Sequence, residues 1–246
     1  VLDFDGDVRA SAVDNLRREI SAVLQIAEGK DEVLVRLESP GGMVHSYGLA
    51  ASQLRRITSQ GVTLTVCVDQ VAASGGYMMA CIADKIVAAP FAVLGSIGVV
   101  AQIPNFHRLL KKNDIDIELL TAGEYKRTLT MFGQNTDGDR AKFQEELEDT
   151  HSLFKDFVRD NRRGLDISRV ATGEHWYGLR ALDLGLVDEL MTSDEYLLRR
   201  SKEADLFEVS WQVKRTLAER LGLGAEAAME RVVERWFHRG SSRFLQ

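Results

Sequence analysis

Residues 33–42 read VLVRLESPGG, and this stretch decides the fold. Residues 33–37 form a short apolar run rich in β-branched side chains, the pattern of a buried strand. The run stops at Ser39-Pro40-Gly41-Gly42, which neither a helix nor a strand interior tolerates: proline lacks a backbone donor and the glycines leave the chain unbraced. A strand therefore feeds a tight turn.

Working outward, residues 1–4 read as a strand and are followed by an acidic turn through Gly6. Val13, Leu16, Ile20, Val23, Leu24 and Ala27 then recur at helical spacing, with Ser11 or Asp14 available as cap. Beyond the glycine turn, Leu49, Leu54 and Ile57 indicate a second helix, residues 64–68 a second buried strand, and Ala72-Ala73-Ser74-Gly75-Gly76 the start of a short helix through Met79 and Ile82. Strands alternating with helices favour a mostly parallel α/β sheet with right-handed crossovers. Further along come strand-like residues 86–88 and 93–100, a helix through Phe106, Leu109 and Leu110, and a strand over 115–120. A loop carries Gly123-Glu124-Tyr125-Lys126. A long amphipathic helix over about 139–163 carries His151, and a small helix ending at Gly185 leads into a strand.

Composition narrows the possible partners. The 246 residues carry a net charge of −6, with a pI near 5.5, which argues against a nucleic-acid surface built on phosphate neutralisation. Cys67 and Cys81 lack metal-site or disulfide spacing and read as buried thiols. No metal and no organic cofactor is expected. Residues 86–103 contain no charge, but Pro90, Gly95, Ser96 and Gly98 interrupt them, so two buried strands and a turn explain the stretch better than a membrane span. The chain opens at Val1 without a secretory pattern and reads as a domain cut from something longer. Residues 206–246 change character: a strand-like 206–213 precedes helices with an apolar stripe through Leu217, Leu221, Met229, Val232 and Trp236. We expect a domain over 1–205 and an extension over 206–246 that docks on it or on a neighbouring subunit.

The glycine pairs carry the chemistry. Gly41-Gly42 after a strand and Gly75-Gly76 at a helix start leave peptide N–H groups free to meet an anionic oxygen. Ser74 stands immediately before the second pair, beside donors suited to a tetrahedral intermediate. A serine nucleophile needs a base. None of His45, His107, His151, His175 and His238 is well placed by its sequence context, and His45, just past the glycine turn, is the best of them. The alternative base is Lys126, in its glycine-containing loop. An ordinary lysine is neutral in only about one molecule in 2,500 at pH 7, roughly 4.6 kcal/mol short of parity. Burial would have to lower its pKa.

Taken together these residues resemble the signal peptide peptidase A family of serine proteases, and within it the SohB-type group. The carrying motifs are Leu37-Glu38-Ser39-Pro40-Gly41-Gly42, Ala73-Ser74-Gly75-Gly76-Tyr77, Leu94-Gly95-Ser96-Ile97-Gly98, Gly123-Glu124-Tyr125-Lys126, Trp176-Tyr177-Gly178 and Gly185-Leu186-Val187-Asp188. In order and spacing they cover residues 1 to about 200. The resemblance implies a ClpP/crotonase-like spiral of strand-strand-helix units and a Ser/Lys dyad, with Ser74 as nucleophile, Lys126 as general base and Ser96 orienting the lysine. It implies oxyanion donors at Gly75 and at Gly41 or Gly42. An extended peptide would lie along residues 41–43 and 96–99, touching Met43, Ile97 and Gly98.

The same resemblance implies cleavage of signal-peptide remnants or membrane-protein fragments, with small or apolar side chains preferred. It further implies a homo-oligomer, sometimes completing its sites with residues of neighbouring subunits. An N-terminal anchor would hold the protease domain outside the cytoplasmic membrane. Two other classes stay open. An acyl-CoA-handling crotonase-type enzyme would want paired carboxylates after Ser74, and residues 77–83 have none. A catalytically inactive scaffold would tolerate loss of Ser74 or Lys126, and both are present.

Overall fold

The computed structural model describes residues 1–212 apart from Glu124. Val1–Ser210 form one compact unit; the second, Trp211–Gln246, lies almost wholly outside the described residues, as do the helices expected there. The first unit runs β1 (Leu2–Asp5), α1 (Val13–Val23), β2 (Glu32–Glu38), α2 (Val44–Ser59), β3 (Thr63–Val68), β4 (Val71–Ala73), α3 (Gly75–Ala80), β5 (Lys85–Ala88) and β6 (Val93–Gly95). There follow α4 (His107–Lys112), α5 (Asp137–Asn161), α6 (Ile167–Val170), β7 (His175–Tyr177), α7 (Gly178–Asp183), β8 (Glu189–Leu190) and α8 (Ser193–Arg200).

The apolar runs of β2, β3 and β5 become the centre of a five-stranded parallel sheet ordered β1-β2-β3-β5-β8, with Val35 opposite Val66 and Val66 opposite Ile86. Such runs suit a sheet covered on both faces. One face packs Leu16 and Ile20 of α1, Leu54 and Ile57 of α2 and Met79 of α3, all buried. On the other face Leu34, Cys67 and Val87 meet Tyr196 of α8. Each such large apolar side chain contributes about 1.5–3 kcal/mol by leaving water. A smaller sheet, β4-β6-β7, pairs β4 with β6 in parallel and β6 with β7 antiparallel.

The chain repeatedly leaves the large sheet, steps into the small one and returns through a helix. β3, β4 and α3 form one such unit. β2 forms another, its continuation at Ser39 bridging Ala72 before α2 begins. This is the strand-strand-helix spiral that the motifs imply.

Several local expectations change. The N-cap of α1 is Ala12, without a side-chain bond, because the Ser11 hydroxyl instead donates to Asp7. The strand at Val93 ends at Gly95, since Ser96 takes a φ of +50° that breaks the ladder. Residues 115–120 form no strand despite their alternation: Ile115, Ile117 and Leu119 have no sheet edge to pair with in the single chain and are exposed. Residues 206–212 likewise adopt no regular element. The helix expected from residue 139 begins at Asp137, under a capping box between Thr136 and Asp139. β4 and α6, of three and four residues, are too short to announce themselves in the apolar pattern, and α8 buries only Ser193 and Tyr196, which leaves no apolar stripe to read.

The charge-free stretch over 86–103 contains β5, a turn and β6, and among the described residues no helix is long and apolar enough to cross a membrane. Cys67 and Cys81 are free and buried, and burial pushes both thiols up to about 12. Among the described residues no group of three or more His, Cys, Asp or Glu is arranged to hold a metal ion.

Candidate active site

Where β4 gives way to α3, the chain turns at Ser74 with φ +53° and ψ −118°. A serine with positive φ is held in a conformation costing on the order of 1–3 kcal/mol, and it persists because both flanks are pinned. Ser74 N–H donates to Gly95 O at 2.8 Å, and Ser74 O accepts from Met78 N–H at 3.0 Å. The turn lifts the side chain off the small sheet at the mouth of a helix. Ser74 is half-buried there, and a strand-turn-helix elbow of this kind can present a serine hydroxyl beside free N–H groups.

The Ser39–Gly42 turn lies against it. Gly41 has φ +88°, and a Cβ there would stand 2.7 Å from both Ala73 O and Gly75 N. Only glycine permits this approach. Gly41 N–H already donates to Ser39 Oγ at 3.1 Å. Among the described residues Gly42 N–H and Gly75 N–H have no partner. Of the two, Gly41 N–H is thus taken up within the turn itself.

Ser74, Ser96, Gly41, Gly42 and Gly98 line one cleft of about 590 Å³, together with His151, Thr172 and Gly173. Ser96 N–H donates to Glu174 O at 2.7 Å, which ties the segment after β6 to the approach to β7. Ile97 is fully buried and does not line the cleft. Met43 is the N-cap of α2 and donates to Val8 O at 2.8 Å; its side chain is partly exposed and does not line the cleft.

His151, Thr172 and Gly173 were not singled out from the sequence as cleft residues. His151 could have been found: it lies three and seven residues before Phe154 and Val158, both buried, and so shares the inward face of α5. Its Nε2 is 3.1 Å from Ile97 O. A carbonyl only accepts, so that nitrogen carries a proton and is not available as a base. His45 lies on exposed helix surface at the start of α2.

Lys126 is exposed and does not line the cleft. It belongs to a long loop closed at its base, where Phe106 N–H donates to Met131 O at 2.7 Å and Asn105 Nδ2 donates to Thr130 O and Gly133 O. None of the described residues from 98 to 153 is buried, and Val100 and Leu120 are each 91% exposed. Within one chain the structure brings Ser74, Ser96 and the glycines together and leaves Lys126 apart from them.

Residues 56–207 match the profile of peptidase family S49, and residues 1–54 match that of the peptidase family S49 N-terminal region. The chain is 57% identical over 245 residues to a probable protease SohB of Haemophilus influenzae, covering 100% of this chain and 69% of that protein. It is 58% identical over 220 residues to a probable protease SohB of Buchnera aphidicola subsp. Acyrthosiphon pisum, covering 89% of this chain and 66% of that one. A putative protease of Methanocaldococcus jannaschii is 30% identical over 177 residues, 71% of this chain and 56% of its own length. The chain thus spans about two thirds of the first two relatives.

Proposed function

The chain belongs to peptidase family S49, and from that premise we propose that it is a serine endopeptidase with Ser74 as nucleophile and Lys126 as general base. The observation that carries the reading is the turn at Ser74, strained and pinned beside the unpartnered N–H groups of Gly42 and Gly75. Neutral Lys126 takes the Ser74 proton as Oγ attacks a peptide carbonyl, and the two N–H groups meet the charge that develops. The lysine then returns its proton to the departing amine. Water repeats the sequence on the acyl-enzyme, freeing the acid and restoring Ser74. Ser96, in the same cleft, orients the lysine.

Because Lys126 is exposed in the single chain, the base that reaches Ser74 is that of a neighbouring copy in a homo-oligomer. Two features support this: none of the described residues of the loop carrying Lys126 is buried, and its apolar side chains at Val100, Ile117, Leu119 and Leu120 face water unless another subunit covers them. Assembly would desolvate the amine in the same step.

The substrate is an extended peptide that adds as a strand beside residues 41–43 and 96–99. Among the described residues, no backbone hydrogen bond involves residues 98–104, which leaves that edge open to a main-chain partner. Remnants of signal peptides and membrane-protein fragments are the proposed substrates, processed on the extracytoplasmic side of the inner membrane; the support for both is the family resemblance. A fluorophosphonate probe, applied across a pH series to wild type, Ser74→Ala and Lys126→Ala, tests the dyad. Labelling of wild type alone is expected; labelling of either variant overturns the assignment.

A further inference from the structure

Beneath the cleft lies a buried chain of hydrogen bonds that the serine-peptidase reading does not itself use. Gly41 N–H reaches Ser39 Oγ at 3.1 Å, Ser39 Oγ lies 2.5 Å from Tyr47 Oη, and Tyr47 Oη donates to Asp7 O at 2.8 Å. The direction of every bond is fixed by chemistry. Asp7 O is a carbonyl and can only accept, so the single Tyr47 hydroxyl proton goes there. Ser39 must then donate to Tyr47, and its oxygen is left to accept from Gly41. Ser39 and Tyr47 are both fully buried.

Ser39 also holds the other half of the site through its backbone. Its N–H donates to Val71 O at 2.8 Å, and its carbonyl accepts from Ala73 N–H at 3.0 Å, which places β4 and hence Ser74. The Tyr47 ring supports the helix start: a Cβ on Gly75 would come within 2.4 Å of it. One serine therefore ties the nucleophile strand by its main chain and the glycine turn by its hydroxyl.

We infer that Ser39 and Tyr47 are positioning residues, which hold the Gly41 N–H turned toward the buried Ser39 hydroxyl so that Gly42 N–H, with Gly75 N–H, is held where the oxyanion forms. This rests on the serine-peptidase reading. Without the Ser39 hydroxyl, Gly41 N–H loses its buried acceptor and the turn is free to rotate toward other partners. Preorganised donors lose their effect when displaced by about an ångström, at a cost of up to about 100-fold in rate.

The test uses the full chain and the variants Ser39→Ala, Tyr47→Phe and the pair combined, with rates expressed per titrated active site. In Ser39→Ala, kcat is expected to fall between about 10- and 100-fold, with KM within about twofold. The inhibition constant of a peptide aldehyde, whose adduct carries the same oxyanion, should rise in parallel. Tyr47→Phe keeps the ring and should give a smaller loss in the same direction. The double variant should be no worse than Ser39→Ala, because the two act in series. Variants that unfold at lower temperature while keeping wild-type kcat and aldehyde affinity per titrated site would overturn the inference and leave the pair a purely structural role. Tyr47→Phe decides alone if Ser39→Ala does not fold. Failure of the underlying reading looks different: wild type would then not be titrated at Ser74 at all.

Discussion

His151 Nε2 lies 3.1 Å from the carbonyl oxygen of Ile97, so a residue in the middle of α5 anchors the segment that follows Ser96. The other side of that segment is held by Ser96 N–H on Glu174 O. Both neutral Nε2–H imidazole and imidazolium can donate to the carbonyl, so the anchor survives protonation. His151→Ala is expected to raise KM for peptide cleavage several-fold, by loosening the edge on which substrate lies, while fluorophosphonate labelling of Ser74 changes by less than about twofold. His151→Gln, which keeps a donor, should recover part of the loss. Equal losses in labelling and cleavage would assign His151 to the chemistry instead.

Exchange of subunits tests where the base comes from. Ser74→Ala and Lys126→Ala chains, each inactive alone, should regain peptidase activity when mixed, since an intact serine of one chain would meet an intact lysine of the other. Size-exclusion chromatography with light scattering should find an assembly larger than 27.4 kDa. Mixed chains that assemble yet stay inactive would mean that Lys126 does not serve a neighbouring Ser74.

Gly41→Ala should be more harmful than most glycine substitutions. Its φ of +88° is disfavoured for alanine, and the new methyl would press on Ala73 O and Gly75 N, both backbone atoms that cannot swing aside. We expect labelling to fall by at least about 100-fold, as for loss of an oxyanion donor, with thermal stability reduced as well. Labelling at the wild-type rate would mean that the turn does not abut the nucleophile in the active protein.

Acid should weaken the β8 edge of the large sheet. Hydrogen bonds from Arg199 and then Lys85 hold the Glu189 carboxyl at about 2, below its ordinary 4.5. A depressed carboxylate stabilises the fold above its unfolded pKa, and that contribution disappears as pH falls from about 4.5 through about 2. The melting temperature of wild type should therefore exceed that of Glu189→Gln at neutral pH, and the gap should close across that acid window. A gap independent of pH would detach the effect from the ionised carboxylate.

How much of the site was legible depended on how local each signal was. Ser74 and the two glycine pairs were legible because a strand, a turn and a helix start are written in neighbouring residues. Lys126 is proposed through its motif alone, since a lysine in a glycine-containing loop looks like any surface lysine, and in the single chain it is exposed and outside the cleft. The alternation of Ile115, Ile117 and Leu119 read as a strand, yet an alternating segment needs an edge to pair with and one chain provides none. Ser39 read as part of a turn. That it faces Tyr47 depends on α2 folding back over the turn.

The order of apolar runs and breakers by itself determined the parallel sheet, the turn at Gly41 and the elbow at Ser74, because buried strands and tight turns are imposed by residues adjacent in the chain. Only the tertiary structure decided that Gly41 gives its N–H to Ser39 and leaves Gly42 free, that His151 comes from α5 to hold Ile97, and that Lys126 stands in water in a lone chain. Those outcomes depend on contacts between residues far apart in sequence, where packing selects the partner and spacing carries no record of it.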